Sequence, residues 1–200
     1  MKVFTVPLSP ADLEDLSSRF GKGEIILIPT DTVYGIAAIP SRADALARIV
    51  AAKGRDPSKP CQLLAESADA AERAGIPVPA AARRLANAYW PGALTIVLDL
   101  PDGGTEGIRV PDDDTARALC RAAGGLLRCT SANRSGEPPA QTAEEAEAAL
   151  PEADAIVRAG RVRGGVASSV VHVEPDGSLH VFREGAISTE ALQSALSCDN

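Results

Sequence analysis

Three cations, Lys53, Arg55 and Lys59, fall within seven residues of the stretch KGRDPSKP. A triphosphate needs several positive charges converging from one side. Lys supplies a compact point charge and Arg a planar fork for phosphate oxygens. Prolines at 57 and 60 reduce the entropy lost on ordering such a loop. A solvated basic loop has the same composition, so the cluster alone leaves both readings open.

Four further segments carry polar groups suited to a small ligand. PTDTVYG (Pro29 to Gly35) follows an apolar run and offers the hydroxyls of Thr30 and Thr32, the Asp31 carboxylate and an aromatic wall from Tyr34. Its place at a strand's carboxyl end is where α/β sheets usually bind ligands, although Thr and Asp also cap plain turns. In TEGIRVP (Thr105 to Pro111), alternation puts Arg109 opposite Ile108 and Val110, where it either grips a carboxylate or faces water from an edge strand. TSANRSGEPP (Thr130 to Pro139) gathers Ser131, Asn133 and Ser135 around Gly136, as a nucleotide-holding turn or an ordinary one. Between Gly164 and Gly185, glycines precede Ser168 and Ser169, and Arg183 closes VFREG, which suggests a mobile cover or a flexible surface loop.

No GKS/T phosphate loop, GxGxxG or HExxH is present. The two histidines, His172 and His180, sit in one terminal segment and read as surface strand residues. A hydrolytic triad has little to draw on.

The elements that must position these groups alternate along the chain. EIILIP (Glu24 to Pro29), ALTIVL (Ala93 to Leu98), Gly125 to Cys129 and Ala155 to Arg158 read as buried strands. Ser169 to Val173 and Leu179 to Arg183 read as a hairpin closed by Asp176-Gly177. Helices are expected at Pro10–Phe20, Arg42–Ala52, Ala80–Tyr89, Asp114–Ala123, Ala143–Leu150 and Thr189–Leu196. Ser9 with Pro10, Ser41 with Asp44 and Thr142 with Glu145 supply start signals. The hairpin makes the sheet mixed, and with no repeats or long linker one α/β domain over residues 1–200 is the economical reading.

Composition narrows the partners. The chain has 200 residues, 3% aromatics and a net charge of -7, so its core is built from aliphatic residues and a broad nucleic-acid surface is unlike it. No apolar run approaches a membrane span and the start has no signal-peptide core, so the expectation is a cytoplasmic protein without membrane contact. Cys61, Cys120, Cys129 and Cys198 show no CxxC spacing and read as free thiols.

Taken together, the segments resemble the Sua5/YrdC/TsaC family of threonylcarbamoyl-AMP synthases. The likeness runs in order through PTDTVYG, KGR…KP, WPGALT (Trp90 to Thr95), IRVP, SANRSG, SSVV and FREG, over about residues 20–187. Each motif is weak alone, but seven in order are specific. The resemblance implies a twisted open mixed sheet with flanking helices around a deep basic cavity, in one YrdC-like domain of the short TsaC type. It implies L-threonine, bicarbonate and ATP as substrates, with Mg2+, and no catalytic side chain beyond positioning and charge. By motif position, Lys53, Arg55, Lys59, Thr105, Ser131, Asn133 and Arg183 would bind ATP. Thr30, Gln62, Arg109, Cys129 and Ser168 would bind threonine, Arg109 at its carboxylate. A TsaD-type transferase acting on A37 of tRNA would follow, with a tRNA or double-stranded RNA contact as a further implied partner. The alternative is an RNA-binding YrdC/YciO-type module without synthase activity. Three positions depart from the family pattern: His172 replaces the Asp of STVVD, Asp56 replaces the Pro after KGR, and the hairpin is one residue longer.

Overall fold

Strand β1 (Lys2–Thr5) leads into α1 (Pro10–Gly21), and the apolar run that follows forms β2 (Ile26–Ile28). Both faces of β2 are covered, which is why the run is continuous: Leu27 packs into one core cluster, Ile26 and Ile28 into another. The chain continues through β3 (Gly35–Ala38), α2 (Ala43–Lys53), β4 (Gln62–Ala65), α3 (Ala68–Arg73), α4 (Ala80–Tyr89), β5 (Leu94–Asp99) and β6 (Thr105–Arg109). It ends with α5 (Asp114–Ala122), β7 (Leu126–Ser131), α6 (Ala143–Ala149), β8 (Ala155–Arg158), β9 (Ser169–Val173), β10 (Leu179–Arg183) and α7 (Thr189–Ser197). This computed structural model describes residues 1–174 and 178–197. The Asp176-Gly177 turn and Cys198 lie outside the described residues; Cys61, Cys120 and Cys129 are free thiols.

Among the described residues ten strands form one sheet, in the order β1-β8-β2-β3-β7-β4-β6-β5-β9-β10. It is mixed, as expected: β1/β8, β2/β8, β4/β6 and β5/β9 run parallel, the other neighbours antiparallel. Helices flank both faces. Ile49 of α2 and Ala146 of α6 pack with Tyr34, Ile36 and Ile156. On the opposite face Leu16 and Phe20 of α1 and Leu119 of α5 pack with Ile26, Leu64 and Leu127. A third cluster joins Leu85 of α4 and Leu192 of α7 to Ile96, Ile108 and Val171. The aromatic residues Phe4, Phe20 and Tyr34 are buried within this largely aliphatic core.

The start signals behave differently. Ser9 and Asp12 form a complete reciprocal cap on α1 (Asp12 N to Ser9 Oγ 3.2 Å, Ser9 N to Asp12 Oδ2 2.9 Å). The expected Ser41 cap does not form. Arg42 occupies the cap position, where its guanidinium grips Asp44 (2.6 and 2.8 Å) and donates to Gly21 O, tying α2 to the end of α1. Thr142 caps α6 by accepting from Glu145 N at 3.2 Å, while the Glu145 carboxylate accepts from Gln141 N at 2.7 Å.

Candidate active site

Period-two alternation gives the second half of the sheet one polar face. Thr95 and Val97 of β5, Thr105, Gly107 and Arg109 of β6, Gln62 of β4, Cys129 and Ser131 of β7 and Val170 of β9 line a cavity of about 400 Å3. Their alternates Ile96, Ile108 and Val171 lie in the core. The walls come from Thr32 and Val33, Arg55 and Pro60, Pro139, Ala167 and Ser168, and Arg183. The site is therefore a sheet face, not only the carboxyl end of a strand. Of the residues singled out in the sequence, Arg55, Gln62, Thr105, Arg109, Cys129, Ser131, Ser168 and Arg183 line the cavity, and Thr30, Lys53, Lys59 and Asn133 do not.

Arg109 is 3% exposed and held on three sides. Its Nε donates to Gly92 O (2.9 Å), its Nη1 to Thr32 Oγ1 (2.8 Å), and its Nη2 to the Asp31 carboxylate. A guanidinium has five N–H donors, so two remain for a ligand. Thr30 is inward of this pair: its Oγ1 donates to Val33 O at 2.7 Å and accepts from the main-chain N–H groups of Thr32 and Val33. It shapes the turn that presents Asp31 and Thr32. Tyr34 is also not a cavity wall. It is fully buried, and its hydroxyl donates to Ala159 O (2.6 Å) and accepts from Ala159 N (2.9 Å). Burial raises its pKa above the ordinary phenol value.

Lys53 is the last residue of α2 and only 2% exposed. Its ammonium donates to Ser131 O (2.5 Å), Asn133 O (2.6 Å) and Asn133 Oδ1 (3.3 Å). All three ammonium hydrogens are thereby occupied on the 131–133 loop. Ser135 N donates to Lys53 O at 2.8 Å and Arg134 Nη1 donates to Ala52 O, so the helix end and the loop are clamped together. Asn133 turns its amide into the same loop, donating to Arg134 O and Glu137 O. Burial first, then the charge of Arg55, pushes Lys53 down to about 8.

The basic loop itself is open to solvent. Arg55 donates to Lys59 O (3.2 Å) and Pro60 O (3.0 Å), closing the loop on itself, and Lys59 is exposed outside the cavity lining. Asp56 accepts from Ser58 N and Oγ, and these bonds hold its carboxyl below the usual range.

Arg183 reaches the cavity through a bulge. Val181 pairs with Val171, but Arg183, two residues on, pairs with Val170, so Phe182 is extra and Arg183 turns to the Val170 face. Its Nε donates to Ser168 O at 3.0 Å. Burial, then the charges of Arg109 and Arg55, lowers its pKa from the ordinary value. Cys129, pushed up to about 12 by burial, carries a neutral thiol in the floor. His172, read from sequence as a surface residue, is largely buried, with Asp99 and Glu174 carboxylates each 3.2 Å away.

Thr95 was missed as a site residue. Its hydroxyl lies 2.6 Å from Gln62 Oε1 and 2.9 Å from Ser168 Oγ. The available signal was a lone Thr between Leu94 and Ile96, on the side of the strand that alternation leaves out of the core.

The Sua5/YciO/YrdC family model, described as "Telomere recombination", matches residues 18–185. The chain belongs to this family. A Bacillus subtilis threonylcarbamoyl-AMP synthase is 34% identical over 188 residues, covering 88% of this chain and 54% of that protein. A Chromohalobacter salexigens protein of the same name is 36% identical over 152 residues, 70% of this chain and 81% of that one. The structure of P. abyssi Sua5 complexed with L-threonine has a TM-score of 0.87 at 24% identity, over 98% of this chain and 60% of that chain. At that identity the likeness speaks for the fold. Against the Bacillus and Pyrococcus proteins the chain spans between half and two thirds of their length. Family membership thus rests on sequence, and the mixed open sheet matches a solved member.

Proposed function

We propose that the chain is an L-threonylcarbamoyladenylate synthase, a nucleotidyltransferase that converts L-threonine, bicarbonate and ATP to threonylcarbamoyl-AMP and pyrophosphate. The observation that carries this reading is convergence. Arg55, Gln62, Arg109, Ser131, Ser168 and Arg183, spread over most of the sequence, line one cavity. Three arginines are the charged groups in that lining, which suits an anionic nucleotide. Family relatives named threonylcarbamoyl-AMP synthase support the same activity.

The chemistry needs no protein nucleophile. The neutral amine of threonine and bicarbonate combine to a carbamate with loss of water. A carbamate oxygen then attacks the α-phosphorus of ATP, and the bond to pyrophosphate breaks. Positioning and charge neutralisation supply the catalysis. The two free N–H groups of Arg109 face the threonine carboxylate, with Thr30 acting through the turn it builds. Gln62, Ser168 and Cys129, the last through its main chain, complete the amino-acid side. Arg55, Lys59, Thr105, Ser131 and Arg183 serve ATP, and Lys53 and Asn133 serve it through the loop they hold rather than by contact.

ATP enters with Mg2+. The described residues contain no group of three or more His, Cys, Asp or Glu side chains able to hold a metal. Mg2+ is commonly held by one or two carboxylates plus substrate phosphate oxygens. Asp56, exposed in the loop next to Arg55, is the carboxylate that would help hold it.

The product is labile, and a TsaD-type transferase that places threonylcarbamoyl on A37 of tRNA is the proposed consumer, in the cytoplasm. No described helix is long and apolar enough to cross a membrane. The test is to incubate purified protein with ATP, labelled bicarbonate and threonine. The expected result is a labelled adenylate and pyrophosphate, both dependent on threonine. Salt-sensitive RNA binding with no ATP consumption would instead establish the RNA-binding alternative.

A further inference from the structure

We propose that Thr95 is a positioning residue: it fixes the direction of the protons across the cavity floor and so makes that floor complementary to an N–H beside a carboxylate, the pattern of a carbamate. The proposal deepens the synthase reading and rests on it.

The argument is a count of hydrogens. Thr95, the second residue of β5, is 1% exposed, with Gln62 on one side and Ser168 on the other. A hydroxyl has one proton to give and two lone pairs. The 2.6 Å separation from Gln62 Oε1 is an O–H···O length, shorter than N–H···O bonds usually reach. The amide therefore turns its oxygen to Thr95 and receives the Thr95 proton. The 2.9 Å contact with Ser168 then has only one possible donor, the Ser168 hydroxyl. Arg183 completes the order, its Nη2 lying 3.4 Å from Ser168 Oγ and its Nε donating to Ser168 O at 3.0 Å.

Two consequences reach the cavity. Ser168 has no proton left and offers a lone pair, while Gln62, its oxygen engaged, offers N–H. Both line the cavity, as does Thr95 between them. A carbamate presents one N–H next to two anionic oxygens, so the N–H meets Ser168 and an oxygen meets Gln62. Bicarbonate presents the same pairing with its O–H in place of the N–H, and the threonine amine brings an N–H to Ser168, so the floor holds each precursor by the groups that the carbamate keeps. The polarity set by Thr95 thus holds both precursors in the arrangement of the joined species, and that positioning is where the site lowers the barrier.

Two variants separate the proton from the shape. Thr95→Val keeps the volume and removes the hydroxyl; Thr95→Ser keeps the hydroxyl and removes the methyl. Two readouts apply: pyrophosphate release with KM for bicarbonate, threonine and ATP, and L-threonine affinity by calorimetry, which needs no turnover. Thr95→Val is expected to raise the bicarbonate KM about ten-fold and weaken threonine about five-fold, with ATP KM moved by less than about two-fold. Thr95→Ser is expected to stay within about three-fold of wild type. A folded Thr95→Val protein with wild-type threonine affinity and bicarbonate KM overturns the proposal. So does a Thr95→Ser protein as impaired as Thr95→Val. If Thr95→Val does not fold, Gln62→Glu decides: it replaces the N–H with an acceptor, and an unchanged bicarbonate KM sinks the idea. Threonine binding by wild type without pyrophosphate release defeats the synthase reading alone, and the affinity comparison then rules on Thr95.

Discussion

Arg109 and Arg55 line the same cavity, yet the protein treats them in opposite ways. Arg109 is buried, ion-paired to Asp31 and hydrogen-bonded to Gly92 and Thr32 before any ligand arrives. Arg55 stands in a solvent-exposed loop, where its guanidinium donates to the carbonyls of Lys59 and Pro60 in that same loop. The difference follows from solvation. A charge removed from water needs a partner and a fixed geometry. A charge left in water does not, so the ligand supplies the order. The Arg109 side of the cavity is thus built rigid and the Arg55 side adaptable.

Arg109→Ala should produce the largest effect. It strands the nearly buried Asp31 carboxylate, so unfolding free energy should fall by about 3 kcal/mol and the threonine KM should rise at least roughly a hundred-fold. Denaturant unfolding and threonine titration measure both. A large threonine defect with unaltered stability would break the comparison.

Lys53→Met should come next, because it removes a buried cation that organises the 131–135 loop without itself lining the cavity. ATP KM should rise about ten-fold and stability drop by about 2 kcal/mol near neutral pH. A pH series sharpens this. Folded Lys53 titrates near 8 and the unfolded side chain near 10.5. Between those values the unfolded chain holds the extra proton, so this residue makes stability climb as pH rises through the window; below it both states are charged and the slope vanishes. Thermal unfolding across that range should show the climb in wild type and a flatter profile in Lys53→Met.

Arg55→Ala should have the smallest effect on the fold, within about 0.5 kcal/mol, with ATP KM raised several-fold and threonine KM unchanged. A stability loss comparable to that of Arg109→Ala would mean the loop is as rigid as the floor.

Much of this was legible in the chain. Continuous apolar runs marked β2, β5 and β8 because burial on both faces leaves no other pattern. The Arg109 alternation was readable because β6 obeys it strictly. By contrast β3 (GIAA) and β4 (QLLA) carry little strand propensity and exist because β7 pairs with both. Strand β1 depends in the same way on β8, and α3 is a single short segment after β4. Lys53 was read as a partner of Arg55 two positions away. Helix periodicity said otherwise, for Ala45, Ile49 and Lys53 are spaced by four and share the buried face of α2. The bulge at Phe182 and the Thr95 relay were beyond reach of the sequence, since both depend on which strands become neighbours.

At Gly164 the shape of the site depends on a missing side chain. Its N–H donates to Asp31 O at 3.0 Å, and a Cβ there would lie 2.7 Å from that same oxygen. The contact is main chain against main chain, so neither partner can swing aside. Any residue with a side chain would lever the 162–168 strap off the turn that carries Asp31, loosening the anchor of Arg109 from a position that never meets a substrate. The wall of the cavity therefore has a remote point of failure, open to a change that looks harmless on a list of surface loops.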